Sequence, residues 1–177
     1  MKSLPDKIDQ LLTARDAPPR LRAHLMLVHD VASQLLNGVE QLWPALKIDN
    51  DAVLFGAAAH DVGKIVYPNE LVGPGSEHEN AGVALLLNAG FPEHLARFAR
   101  THGQWNCDDC ALEDMMVALA DKVWRGKRDD ALEHGASLVI ANQLGLEQWE
   151  AWLPLDDMLT QIAATSEWRL CWQSQFS

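Results

Sequence analysis

Apolar residues return every three or four positions along almost the whole of this 177-residue chain, and no segment alternates apolar with polar for long. That spacing gives a helix one buried stripe and gives a strand no consistent face, so the fold class expected is all-α. The periodicity predicts helices over 5–14, 19–42, 49–62, 77–89, 92–102, 111–126, 129–144 and 155–174, with a short one near 146–152. We read one domain over 1–177, a bundle of about seven to nine helices, with 129–177 packing on a core of 20–128.

Punctuation supports these lengths. Gly63, Gly90, Gly103 and Gly145 stand where C-terminal caps are expected, and Pro92 suits a first helical turn. "SEHE", 76–79, has the spacing of a capping box, with Ser76 accepting an early N–H and Glu79 reaching back. That assignment puts His78 in a first turn. The stretch 67–76, with two prolines and two glycines, is the one substantial loop.

A formal charge of −11 disfavours an extended nucleic-acid surface, which needs a basic stripe; the densest basic run is "WRGKR", 124–128. Such a patch suits a small anion. No apolar run approaches the ~20 residues that span a bilayer, and the N-terminus lacks the apolar core of a signal peptide, so no membrane partner is expected. Cys107, Cys110 and Cys171 are too few for a disulfide framework. They are expected to be reduced, in the cytoplasm.

Chemistry concentrates where the apolar run "AVLFGAAA" ends in His60 and Asp61. Neighbours on a helix project about 100° apart, so both reach one point only if it lies between them. Asp61 at a helix C-terminus also opposes the macrodipole and needs a cation, either Lys64 or a metal.

With His24 in "HLMLVHDVA", the doublet in "HDVGK" and Asp121 in "ALADKVW", the chain resembles the HD-domain metal-dependent phosphohydrolase superfamily, H…HD…D. His78 in "SEHENAG" and His102 in "ARTHGQW" fall between the doublet and the last aspartate, as in the superfamily's two-metal branch. His29 competes for the first position. His24 is preferred for the small apolar spacing that follows it, which leaves His29 and Asp30 as a solvated or outer pair. His94 and His134 have no counterpart and are expected at the surface.

The resemblance implies that His24, His60, Asp61 and Asp121 hold one divalent ion and that Asp61, His78 and His102 hold a second, with Asp61 bridging. Imidazole and carboxylate donors suit Fe, Mn, Co, Ni or Zn. Two such ions sharing a water lower its pKa toward neutrality, which implies hydrolysis of a small phosphorylated substrate such as a nucleotide. Relatives with the same six ligands include di-iron oxygenases, and the fold also serves as a non-catalytic ligand sensor, so both stay open. No GYP segment of the cyclic-dinucleotide phosphodiesterases is present.

Lys64, just past the doublet, is read as a phosphate donor, and Lys122 and Arg125 as further substrate contacts. Lys127 and Arg128 fit a solvated helix end. Backbone N–H groups starting the helix at Glu77 offer a second anion site. "CDDC", 107–110, has half the spacing of a zinc site; a zinc shared with His102 competes with the two-metal reading. Among seven tryptophans, Trp105 and Trp124 are nearest the proposed ligands and are the candidates to stack a nucleobase, while Trp168 and Trp172 are expected in the core.

Overall fold

A computed structural model of the chain describes residues 1–176, and among these the regular structure is helical throughout. In chain order the helices are α1 (Asp6–Ala14), α2 (Pro19–Leu42), α3 (Asn50–Ala59), α4 (Glu77–Asn88), α5 (Glu93–Ala96), α6 (Phe98–Thr101), α7 (Leu112–Val123), α8 (Asp130–Leu144), α9 (Gln148–Ala163) and α10 (Ser166–Gln173). Two single-turn 3-10 segments, Val62–Ile65 and Pro68–Leu71, lie between α3 and α4.

The long α2 is the spine. Leu21, Leu25, Val28, Ala32, Leu35 and Val39 recur at three and four residues and are all buried. Its first half packs with α1, α3 and α4 around Ile8, Leu12, Val62 and Leu86; its second half packs with α7, α8 and α9 around Phe98, Met116, Ile140 and Leu155. Helix α3 lies between the two clusters, with Ala57 in one and Ala58 and Ala59 in the other. Small residues permit this. A Cβ on Gly56 would stand 2.7 Å from Phe98 and 2.7 Å from Val117.

Three expectations about local structure need correction. Helix α3 stops after Ala59, a turn earlier than predicted, and the chain tightens into a 3-10 turn. Gly63 is therefore no cap. Its place is a close approach to α4, where a Cβ would lie 1.9 Å from the His78 carbonyl oxygen. Gly103 likewise lies outside left-handed space and faces Glu79, whereas Gly90 (φ +84°) and Gly145 (φ +67°) end their helices as predicted.

The C-terminal helices divide differently as well. Helix α9 runs through Pro154, because Ala151, Leu155, Leu159 and Ile162 form one buried stripe that outweighs the single hydrogen bond the proline forfeits. The break falls at Ala164 and Thr165, where Arg169 turns inward. This guanidinium is 1% exposed and donates to the Trp124 carbonyl at 2.6 Å, the Ile162 carbonyl at 2.6 Å and Thr165 Oγ1 at 2.8 Å. One cation thereby satisfies the C-terminal carbonyls of both α7 and α9. Trp168 is exposed rather than core, while Trp172 packs on the cluster.

Candidate metal centre

Six side chains from five helices meet where the two clusters join. His24 lies in the second turn of α2, His60 caps α3 with Asp61 next to it, His78 is in the first turn of α4, His102 caps α6 and Asp121 is near the end of α7. His60, Asp61, His78 and His102 are buried.

The geometry divides into two groups, His24 with His60 and Asp121, and Asp61 with His78 and His102. In the first, His24 Nε2 is 3.1 Å from His60 Nε2 and 3.3 Å from Asp121 Oδ1, and His60 Nε2 is 3.4 Å from that oxygen. Ligand atoms bonded to one ion at ~2.1 Å stand roughly 3.0–3.4 Å apart. Asp61 joins the groups: Oδ2 is 3.1 Å from His24 Nε2, while Oδ1 is 3.2 Å from His78 Nε2 and 3.6 Å from His102 Nε2.

Outer contacts decide which ring nitrogens face inward as lone pairs. His60 Nδ1 donates to the Ala57 carbonyl at 3.1 Å, His102 Nδ1 donates to the Phe98 carbonyl at 3.2 Å, and His78 Nδ1 donates to Glu70. Those acceptors carry no hydrogen, so the protons are on Nδ1 and each Nε2 presents a lone pair to the centre. The aspartates add only acceptors. Asp61 Oδ1 and His78 Nε2 are buried without any hydrogen-bond partner. Acceptors converging on acceptors repel unless cations lie between them, so the residues fit divalent metal ions.

Without metal, protons take that role. Burial disfavours a charge on His24, yet hydrogen bonds and charge from Asp121 and Asp61 outweigh burial and raise its pKa to about 9. Burial likewise opposes ionisation of Asp61 and Asp121, but the surrounding histidines hold both below the ordinary carboxylate range. His102 goes the other way: burial and the neighbouring His60 lower it to about 4.

Glu70 was not singled out from the sequence. Its carboxylate accepts from the backbone N–H groups of Glu77 and His78, each at 3.2 Å, and from His78 Nδ1. It replaces the predicted capping box, since Ser76 makes no side-chain cap and Glu79 instead accepts from Gln104 Nε2 at 3.0 Å. It also occupies the N–H groups expected to bind a substrate anion.

A cavity of about 270 Å³ opens over the centre, and Arg20, Lys64, Leu71, Trp124, Arg125, Leu170 and Gln173 complete its lining. Lys64 Nζ is 2.6 Å from Asp61 Oδ2. Arg125 reaches the cavity as expected, whereas Lys122 pairs with Asp129 at 3.3 Å and is not part of the lining, where Arg20 stands instead. Arg128 is engaged by Glu133 and Asp156. Trp124 is 5% exposed and meets His24 in a T-shaped arrangement, with ring centroids 5.1 Å apart. Trp105 packs near Gly135 on α8.

His29 is 2% exposed rather than solvated, and burial and Lys2 lower its pKa to about 4. Asp30 pairs instead with the backbone N–H of Lys2 at 2.7 Å. His94 and His134 are exposed, as expected. Cys107 and Cys110 are joined by a disulfide, which corrects the expectation of reduced thiols: the turn from Cys107 to Cys110 brings their Cα atoms to 5.1 Å, within bonding range. They are not zinc ligands with His102, whose Nε2 faces Asp61, and the cysteines no longer argue for a reducing compartment. Among the described residues, no helix is long and apolar enough to cross a membrane.

A family model, the HD domain, matches residues 22–126, more than half of the chain. No curated protein and no solved structure matches. The matched segment begins two residues before His24, ends five after Asp121 and so contains all six converging residues. By sequence and by its gathered histidines and aspartates, the chain belongs to the HD domain family, whose members are generally metal-dependent hydrolases.

Proposed function

We propose that this protein is a metal-dependent phosphohydrolase that acts on a small phosphate ester through two divalent ions, drawn from Fe, Mn, Co, Ni or Zn. The observation that carries the reading is Asp61, whose two oxygens face separate histidine groups, an arrangement suited to bridging two ions. Such ions, when bound, activate water and neutralise charge on a phosphoryl group.

The chain's own residues supply the rest. His24, His60 and Asp121 hold one ion, His78 and His102 the other, and Glu70 keeps the His78 ring turned inward. Lys64 is held over Asp61 by the 3-10 turn and donates to a non-bridging phosphoryl oxygen. Trp124 and Leu170 limit water at the mouth, and Arg125 meets the substrate beyond the ions. The disulfide-bonded loop following His102 is braced on α4 through Gln104 and Glu79.

The test is elemental analysis of the purified protein followed by phosphomonoesterase and phosphodiesterase assays with added Mn, Co, Ni or Mg. Hydrolysis that depends on added metal and is lost in Asp61→Ala is the expected result. Purification with iron, oxygen-dependent turnover and no phosphatase activity would overturn it in favour of an oxygenase.

A further inference from the structure

Arg20 and Arg125 occupy equivalent places on two helices. Arg20 precedes His24 by four residues on α2, and Arg125 follows Asp121 by four at the end of α7, where Trp124 keeps helical dihedrals. Four residues is about one turn, so each arginine starts on its ligand's face roughly 6 Å farther along the axis. Both line the cavity that contains those ligands.

Three of the other six arginines of this acidic chain meet carboxylates, while Arg169 is held by backbone carbonyls and Arg15 and Arg100 have no carboxylate partner among the described residues. Arg22 meets Asp9, Arg97 meets Asp114 at 3.1 Å and Arg128 meets Glu133 at 2.6 Å. Among the described residues no carboxylate lies within ion-pair distance of Arg20 or Arg125, although the chain carries a net charge of −11. Arg20 also stands in the first turn of α2, a turn with no acidic residue and no side-chain cap, where the macrodipole itself favours an anion. Two guanidinium groups and a helix terminus thus present positive potential at one mouth, one turn from the metal ligands.

We propose that Arg20 and Arg125 form a second anion subsite, so that the preferred substrate is a small phosphomonoester with another anionic group about one helical turn from the scissile phosphate. The inference rests on the phosphohydrolase reading for the first phosphate. The cavity's 270 Å³ lies just below the ~300–1,000 Å³ usual for ligand pockets, which favours a compact molecule over a polymer or a dinucleotide. A guanidinium accepts either carboxylate or phosphate in a bidentate pair, so both remain within the class.

Stable phosphonates test this without turnover. Calorimetric titration of the Mn-loaded protein compares propylphosphonate, 3-phosphonopropionate and propane-1,3-diphosphonate. At least one doubly anionic probe is expected to bind tenfold or more tighter than propylphosphonate, and which one does so identifies carboxylate or phosphate as the second group. In the Arg20→Gln/Arg125→Gln protein, with its helical content checked by circular dichroism, that advantage should shrink to within twofold. Equal affinities for all three probes, no binding of any, or an advantage that survives in the double variant overturns the subsite. The preference found in a protein that hydrolyses no phosphomonoester leaves the subsite standing and overturns only the phosphohydrolase reading.

Discussion

Lys64 Nζ sits 2.6 Å from Asp61 Oδ2, the same carboxylate oxygen that faces His24 at 3.1 Å. The contact is an i, i+3 pair across the 3-10 turn, so it depends on α3 ending at Ala59. In Lys64→Met the metal ligands are all retained, and metal content should stay at the wild-type level. Turnover of the best phosphomonoester should fall about 10²-fold or more, the usual effect of removing one donor to a developing charge. Unchanged kcat/KM with unchanged metal content would reduce Lys64 to a counter-ion for Asp61.

Asp61→Asn separates the charge of the bridge from its shape. The amide keeps one acceptor but loses the negative charge that faces four histidine rings. Elemental analysis should show less than half the wild-type metal, with no turnover, while far-UV circular dichroism stays helical because the cores on either side of α3 are untouched. Full metal occupancy in this variant would sink the bridging assignment.

Glu70 links helix capping to ligand orientation, and Glu70→Gln tests both. The amide can still accept a backbone N–H but is a weaker partner for His78 Nδ1, so metal affinity should fall 10- to 100-fold. Of the two backbone N–H groups that the carboxylate caps, the amide oxygen can keep only one, so Tm should drop by a few degrees. Competition with a chelator measures the first and thermal unfolding the second. A drop in Tm with metal affinity intact would confine Glu70 to capping.

What the sequence made legible has a physical pattern. His60 and Asp61 could be singled out because an apolar run closes on them at a helix end, whereas His24, His78, His102 and Asp121 came from the order of ligands in the family that the chain resembles. Arg20 and Glu70 were not legible. Arg20 matters only because α2 and α7 meet at one cavity, and Glu70 only because a 3-10 turn folds it onto α4. Such convergence between elements leaves no trace in spacing along the chain. The break expected between 152 and 155 is absent for the opposite reason: four buried apolar residues on one face carry α9 through Pro154 against its local preference.

The pH response of the metal-free protein follows from four histidines, of which His78 is raised by Asp61 and Glu70 against its burial and so acts in the same direction as His24. His24 is raised from 6.5 to about 9, so its contribution to stability is fully present below pH 6.5 and is lost as pH rises to 9. His102 and His29 are lowered from 6.5 to about 4, so their contributions are present above pH 6.5 and are lost as pH falls to 4. Urea midpoints after chelation should therefore peak near pH 6.5. A metal ion entering at pH 7.5 must displace the His24 proton, and titrations in buffers of different ionisation enthalpy should show at least one proton released. No proton release would mean that His24 is already neutral in the metal-free protein.

Gly63 is the backbone position on which the approach of α4 to the centre depends. An alanine Cβ there would lie 1.9 Å from the His78 carbonyl oxygen and 2.6 Å from the Gly82 nitrogen, and neither is a flexible side-chain end that could swing away. Helix α4 must shift outward and take His78 with it. Gly63→Ala should therefore cost roughly 3 kcal/mol or more, at the upper end for overpacking, and should also lower metal content even at temperatures where the protein stays folded. Gly90→Ala is the control. Its φ of +84° makes alanine unfavourable by about 1 kcal/mol, yet nothing lies within 4 Å of the added carbon, so metal content should be unchanged. Thermal unfolding and elemental analysis of the two variants side by side give the answer, and equal losses of metal in both would refute the close-approach role of Gly63.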